Sequence, residues 1–143
     1  MASKDKAAQL RKYDGFINDK FKPKLQALLD ARDEVYNLLS EYQKLKKQIQ
    51  LMKENNLTEL KTMVDLGSQF YAQAHVPDTR YIFVNVGFGF HVQFTLDEAL
   101  LFIDKKEKRL NITLDKYTRE ADEVRAHIKM ALGVMSDILE GRA

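Results

Sequence analysis

The sequence predicts an α+β fold, mostly α: an antiparallel helical coiled-coil hairpin with two β-hairpins at its base. Three observations carry this. Residues 5–54 and 96–140 are charged segments with seven-residue apolar repeats. Residues 62–95 between them are rich in Val, Phe, Tyr and Gly and poor in charge. That middle stretch holds two turn signals, each flanked by apolar runs of strand length. The 143 residues, 45% hydrophobic and 31% charged, suit one folded domain with much solvated helix surface.

The first segment reads as a helix over about 5–54. Phe21, Leu28, Val35, Tyr42 and Ile49 recur every seven residues, and Ala31, Leu38, Leu45 and Met52 form a second row. Alternating steps of three and four put both rows on one seam. Leu10 and Ile17 continue the second row upstream, but Lys24 interrupts it. Pro23 lacks an N–H and clashes with the carbonyl one turn earlier, so a kink or a separate short helix is expected there.

The middle segment reads as two hairpins. Residues 62–66 and 69–76 flank Gly67-Ser68, a pair suited to a tight turn with Gly first. Pro77-Asp78-Thr79 breaks the chain. Residues 81–86 and 90–95 then flank Gly87-Phe88-Gly89. Phe90, Val92 and Phe94 alternate with polar residues, as in a half-buried strand, while both faces of 81–86 are apolar enough to be covered.

The last segment repeats the helical logic. Ile103, Leu110, Tyr117, Val124, Ala131 and Ile138 form one row; Leu100, Leu114, Ala121, Ile128 and Met135 form the other, with Glu107 as its exception. Thr95 with Glu98 three residues on is a capping-box signature, and Gly141 marks an end. Forty-five helical residues extend about 67 Å. Two such helices can fold back antiparallel, bringing Met52 near Leu100. The hairpins cannot close so simply: short two-stranded ribbons are marginal in water, and apolar open edges invite another chain. An obligate oligomer is expected.

This layout resembles that of α-type prefoldin subunits, which carry two β-hairpins where β-type subunits carry one. The local marks are Asp65-Leu66-Gly67, Val76-Pro77-Asp78-Thr79, Val86-Gly87-Phe88-Gly89 and Glu98-Ala99. The similarity covers nearly the whole chain. It implies one subunit of a prefoldin or prefoldin-like hexamer, assembled with other prefoldin-type subunits of the α and β classes. The hairpins would join a double barrel, and the coiled coil would hang free. Its tips would hold unfolded or partly folded client proteins without ATP. A scaffold or transcription-associated adaptor on the same fold is the alternative.

Other chemistries find little support in the residues. Residues 1–60 hold 12 Lys and Arg against 9 Asp and Glu, too even for a nucleic-acid surface. The basic cluster Lys44, Lys46 and Lys47 reads as a solvated face, and Asp104–Lys108 and Asp115–Arg119 as i,i+4 pairs. With no cysteine and three scattered histidines, no metal set is legible. Gly87-Phe88-Gly89 lacks the third glycine and following helix of a dinucleotide loop. No catalytic constellation, cofactor site or membrane span is evident. Without a signal-peptide pattern, the expected location is the cytoplasm, with the nucleus also open.

Two sets of candidate functional residues remain. Val64, Leu66, Phe70, Ile82, Val84, Val86, Phe90, Val92 and Phe94 are the expected subunit interface. Leu10, Tyr13, Phe16, Ile17, Val134, Met135, Ile138 and Leu139 are the expected client-binding tip; Tyr13, Phe16, Val134 and Leu139 fall off the seam.

Overall fold

The computed structural model of the chain describes residues 2–142. Helix α1 runs over Ala2–Gly15, a π-turn follows over Phe16–Phe21, and α2 continues over Lys22–Glu54. Strands β1 (Leu60–Gly67) and β2 (Phe70–Val76) form one hairpin, and β3 (Tyr81–Gly87) and β4 (Phe90–Thr95) a second. Helix α3 spans Leu96–Glu140. The contacts divide into two units, residues 1–38 with 110–143 and residues 39–109.

Pro23 is met by the π-turn. The Lys22 N–H donates to the Ile17 carbonyl, five residues back, just ahead of the residue that has no N–H to give. The wider turn also rephases the helix. Ile17 is buried and Phe21, four residues on, is half-buried, while Lys24 lies exposed. The interruption of the heptad row at Lys24 is thus absorbed by one widened turn.

In the first unit α1, the π-turn and the start of α2 run antiparallel to the end of α3: the Phe21 ring meets His127, and Lys6 lies beside Gly141. Ile17, Leu110, Leu114, Ala121, Val124, Ala131 and Ile138 are its buried apolar residues. Those on α3 all belong to the two seven-spaced rows. In the second unit Leu39, Tyr42, Ile49, Val84, Ala99 and Ile103 are buried. Leu38, expected in the seam, stays largely exposed, and its neighbour Leu39 is buried instead. A helix of 3.6 residues per turn drifts against a seven-residue repeat, which brings the flanking row inward.

Polar contacts cross the second unit's helix pair. Lys46 Nζ lies 2.8 Å from Asp104 and 3.8 Å from Glu107, and Lys53 pairs with Asp97. Asp104 therefore bonds across the seam to Lys46, a member of the expected basic cluster. The hydrogen bond to Asp104 is the main cause that raises the Lys46 pKa. Arg119 Nε donates to the Asp115 carbonyl oxygen, a backbone bond where an ion pair is expected from the spacing. Glu107, the exception in its row, keeps one carboxylate oxygen buried without a hydrogen-bond partner.

The helix ends follow local chemistry. Thr95 Oγ1 accepts from the Glu98 N–H at 3.2 Å, so the threonine half of the capping box forms. Gly141, at φ 72°, closes α3: its N–H donates to Ile138 and that of Arg142 to Asp137. Asn56, at φ 48°, closes α2 the same way, with its N–H on Lys53 and that of Leu57 on Met52. Both are Schellman caps, one on glycine and one on asparagine.

The two hairpins are one design used twice. Each strand pair shifts register at its turn end, between Asp65 and Gly67 and between Asn85 and Gly87. In each, an Asx oxygen accepts from the glycine N–H two residues on, at 2.8 Å for Asp65 and 2.9 Å for Asn85. The two-residue loops that follow, Ser68-Gln69 and Phe88-Gly89, have positive φ at both positions, the type I′ pattern that suits strand twist. The first turn therefore sits one residue later than Gly67-Ser68. Gly67, at φ 88°, ends β1 and takes up the irregularity where a Cβ would be strained.

Candidate functional site

Where the apolar face of each hairpin goes decides which residues remain for a partner. In β1–β2, the even-numbered residues from Leu60 to Leu66 and from Phe70 to Val76 share one face. Val64 is 44% exposed, Leu66 67% and Phe70 69%. In β3–β4 the same face carries Ile82, Val84, Val86, Phe90, Val92 and Phe94. Here Val84 is only 3% exposed, Phe94 stacks on Phe102 at 5.5 Å, and Phe102 meets the Tyr42 ring edge-on at 6.1 Å. The Tyr42 hydroxyl donates to the Asn85 carbonyl at 3.2 Å. Burial raises the Tyr42 pKa first, with the charge of Glu41 adding to it.

The expected interface set therefore divides. Val64, Leu66, Phe70, Phe90 and Val92 are exposed and available to another chain. Val84 is already buried within its own chain, so its placement in the subunit interface is corrected: it is a core residue. Phe94 packs internally on Phe102, and Ile82 and Val86 are half-buried. Tyr81 and Phe83, on the opposite face of 81–86, are exposed in the single chain, so any cover for that face has to come from outside the described residues.

The connection between the hairpins is anchored to the end of α2. Thr79 is buried, its hydroxyl donates to the Leu57 carbonyl, and its N–H donates to the Thr58 carbonyl at 3.2 Å. Asp78 and Arg80 form an exposed pair at 2.8 Å, which lowers the Asp78 pKa. A cleft of about 650 Å³ lies against this loop, lined in part by Met52, Lys53, Pro77 and Arg80. Its two cations are each paired with an aspartate.

The expected tip residues also separate into two groups. Ile17 and Ile138 are buried, and Leu10 and Met135 half-buried, so these four finish the helical seam. Tyr13, Phe16 and Val134 instead line an open apolar groove of about 450 Å³. Phe21, His127, Met130 and Ala131 complete it. The Phe16 and Phe21 rings stack at 6.5 Å, Phe21 tilts against His127 at 5.7 Å, and Lys20 Nζ lies 4.9 Å from the Phe16 centroid. Leu139, expected here, does not line the groove; it is exposed elsewhere on the surface, as is Leu132. A legible signal pointed to the residues that sequence reasoning missed. The row flanking the α3 seam runs Glu120, Glu123, His127, Met130, Val134, turning from acidic to apolar toward its end.

Among the described residues no group of three or more His, Asp and Glu is placed to hold a metal, and no helix is long and apolar enough to cross a membrane. What the surfaces offer is apolar contact: a bare sheet face in one unit and an aromatic groove in the other.

Comparison with known proteins agrees with this architecture. Residues 21–140 match the prefoldin subunit family. The chain is 38% identical to Protein UXT homolog of Nematostella vectensis over 94% of its own length and 86% of that protein. It is 41% identical to Protein UXT of Bos taurus over 88% of its length and 81% of that protein. Among solved structures, the filamentous prefoldin of Methanocaldococcus jannaschii superposes with a TM-score of 0.63, covering 88% of this chain and 97% of that one at 17% identity. The paired hairpins between long helices, the two turn motifs and these likenesses agree, and the chain belongs to the prefoldin subunit family.

Proposed function

We propose that the chain is an ATP-independent chaperone subunit of a prefoldin-like hexamer, with no catalytic activity of its own. The bare face of β1–β2 joins it to other prefoldin-type subunits, and the groove at Tyr13, Phe16 and Val134 captures apolar segments of non-native proteins. The observation that carries the capture reading is the groove itself. Three aromatic rings and Met130 surround an open apolar space that no part of the described chain fills. Exposed apolar concavities of this kind mark interaction sites, and a methionine in the wall adapts to differently shaped side chains. The match of residues 21–140 to the prefoldin subunit family supports membership of a prefoldin-like assembly.

The test is light scattering of a denatured client diluted into the complete assembly. Replacing Tyr13, Phe16 and Val134 together with Ser or Gln removes groove surface while leaving the buried seam residues Ile17 and Ile138 in place. Suppression of aggregation is expected to fall by roughly a sixth to a half, because the other subunits of a hexamer present tips of their own. Suppression equal to wild type, with the assembly intact, would contradict capture at this groove. It would leave a scaffold that works through the β-hairpins.

A further inference from the structure

The two walls of the groove differ in charge. The segment 2–24, which supplies Tyr13, Phe16 and Phe21, carries seven Lys and Arg against three Asp. The segment 116–142, which supplies the other wall, carries five of each sign. Three of its carboxylates are paired locally: Glu120 with Lys116, Asp122 with Arg125 and Glu140 with Arg142. Nothing equivalent neutralises the first wall. Among the described residues no cation between positions 2 and 24 stands in an ion pair. One of its three aspartates, Asp14, instead accepts from the Asn18 side chain.

Two of these unpaired cations adjoin Phe16, a residue of the groove wall. Lys20 stands over the Phe16 ring, and Lys12 sits one turn before Phe16 in the same row. An apolar groove with an uncompensated cationic edge complements a chain that places carboxylates beside large apolar side chains. We infer that the groove takes acidic amphipathic peptide segments. Leu or Phe side chains enter between Phe16 and Met130, and neighbouring Asp or Glu meet Lys12 and Lys20. The inference rests on the capture reading and adds a charge preference to it. An anionic bilayer offers the same two chemistries, but a helix that lies in a membrane needs a free apolar face. Here Ile17 is buried and Leu10, Phe16 and Phe21 are half-buried already.

The test uses the full chain assembled with its partner subunits and two photo-reactive peptides of about 16 residues, long enough for several helical turns. Both carry Leu and Phe at helical spacing; one has Glu at the remaining positions and the other Lys. Covalent capture on this chain is read by mass against peptide concentration. The Glu peptide is expected to reach half-capture at roughly tenfold lower concentration than the Lys peptide in low salt, with the gap shrinking as salt screens Lys12 and Lys20. Lys12→Glu combined with Lys20→Glu is expected to reverse the order, and a gain for the Lys peptide cannot come from misfolding. Vesicles containing phosphatidylserine are expected not to displace the Glu peptide; displacement would assign the surface to membranes and overturn the inference. Equal capture of the two peptides would overturn the charge preference while leaving apolar capture standing. Capture of neither peptide would overturn both.

Discussion

Hairpins β1–β2 and β3–β4 share a register shift, an Asx-bonded glycine and a type I′ loop, yet their equivalent residues meet different surroundings. Twenty positions separate matching residues, so Val64 corresponds to Val84, Thr62 to Ile82 and Ala74 to Phe94. Val84 is buried and Phe94 stacks on Phe102, while Val64 is exposed. The second hairpin places bulky side chains where the helices meet it. The first has Thr62 and Ala74 at those positions, while near the turn both hairpins leave a phenylalanine bare, Phe70 at 69% and Phe90 at 67% exposure. One local design thus meets two surroundings: β3–β4 buries Val84 and packs Phe94 on Phe102 within its own chain, while no residue of β1–β2 is buried. Fully burying each large apolar side chain on the bare face is worth on the order of 2 kcal/mol, a substantial drive toward association.

The largest expected effect breaks the completed hairpin. Val84→Asp places a carboxylate in a site already closed by the chain, where Val84 is 3% exposed. A loss of roughly 3–5 kcal/mol is expected, read as a fall of ten degrees or more in the melting temperature by circular dichroism. A melting temperature within two degrees of wild type would place Val84 outside the core.

A second expected effect is as large for assembly and small for folding. Leu66→Asp with Phe70→Asp alters only exposed positions of β1–β2. Helix content and melting temperature of the chain are expected to stay near wild type, while co-purification with partner subunits is lost. Full recovery of partners would mean that this face is not the joint.

These contrasts show what the sequence makes legible. The two rows of α3, the Thr95 cap and the Gly141 stop are readable because each depends on neighbours within a few residues. So is the presence of two hairpins, since Gly67, Gly87 and Gly89 mark the turns. The fate of each apolar face is not readable by alternation, because β1, β2 and β4 all alternate and β3 is apolar on both faces. It depends on the Thr79 anchor at Leu57 and Thr58 and on Tyr42 reaching Asn85, contacts between residues far apart in the chain. The groove lies between these cases. Tyr13, Phe16 and Val134 show as apolar residues off the seam, but their meeting with His127 and Met130 requires the π-turn, which a heptad count takes for an interruption.

The smallest effect sharpens the role of Tyr42. Tyr42→Phe removes the bond to Asn85 and is expected to cost about 1 kcal/mol near neutral pH. The Tyr42 pKa is raised in the folded chain, so its stabilising contribution is full below the unfolded value near 10 and is lost as pH rises through the folded one. Denaturant midpoints of wild type and variant are therefore expected to converge above pH 10. Parallel curves throughout that range would show that Tyr42 does not titrate with unfolding.

The central claim is that β1–β2 is completed only by another chain. Sedimentation velocity of the pure wild-type chain and of Val64→Asp, at matched micromolar concentrations, tests it most directly. The wild type is expected to associate into larger species as concentration rises, while Val64→Asp, with unchanged helix content, sediments as a single chain. A wild type that remains a stable monomer across that range, or a variant that associates equally well, would contradict the account.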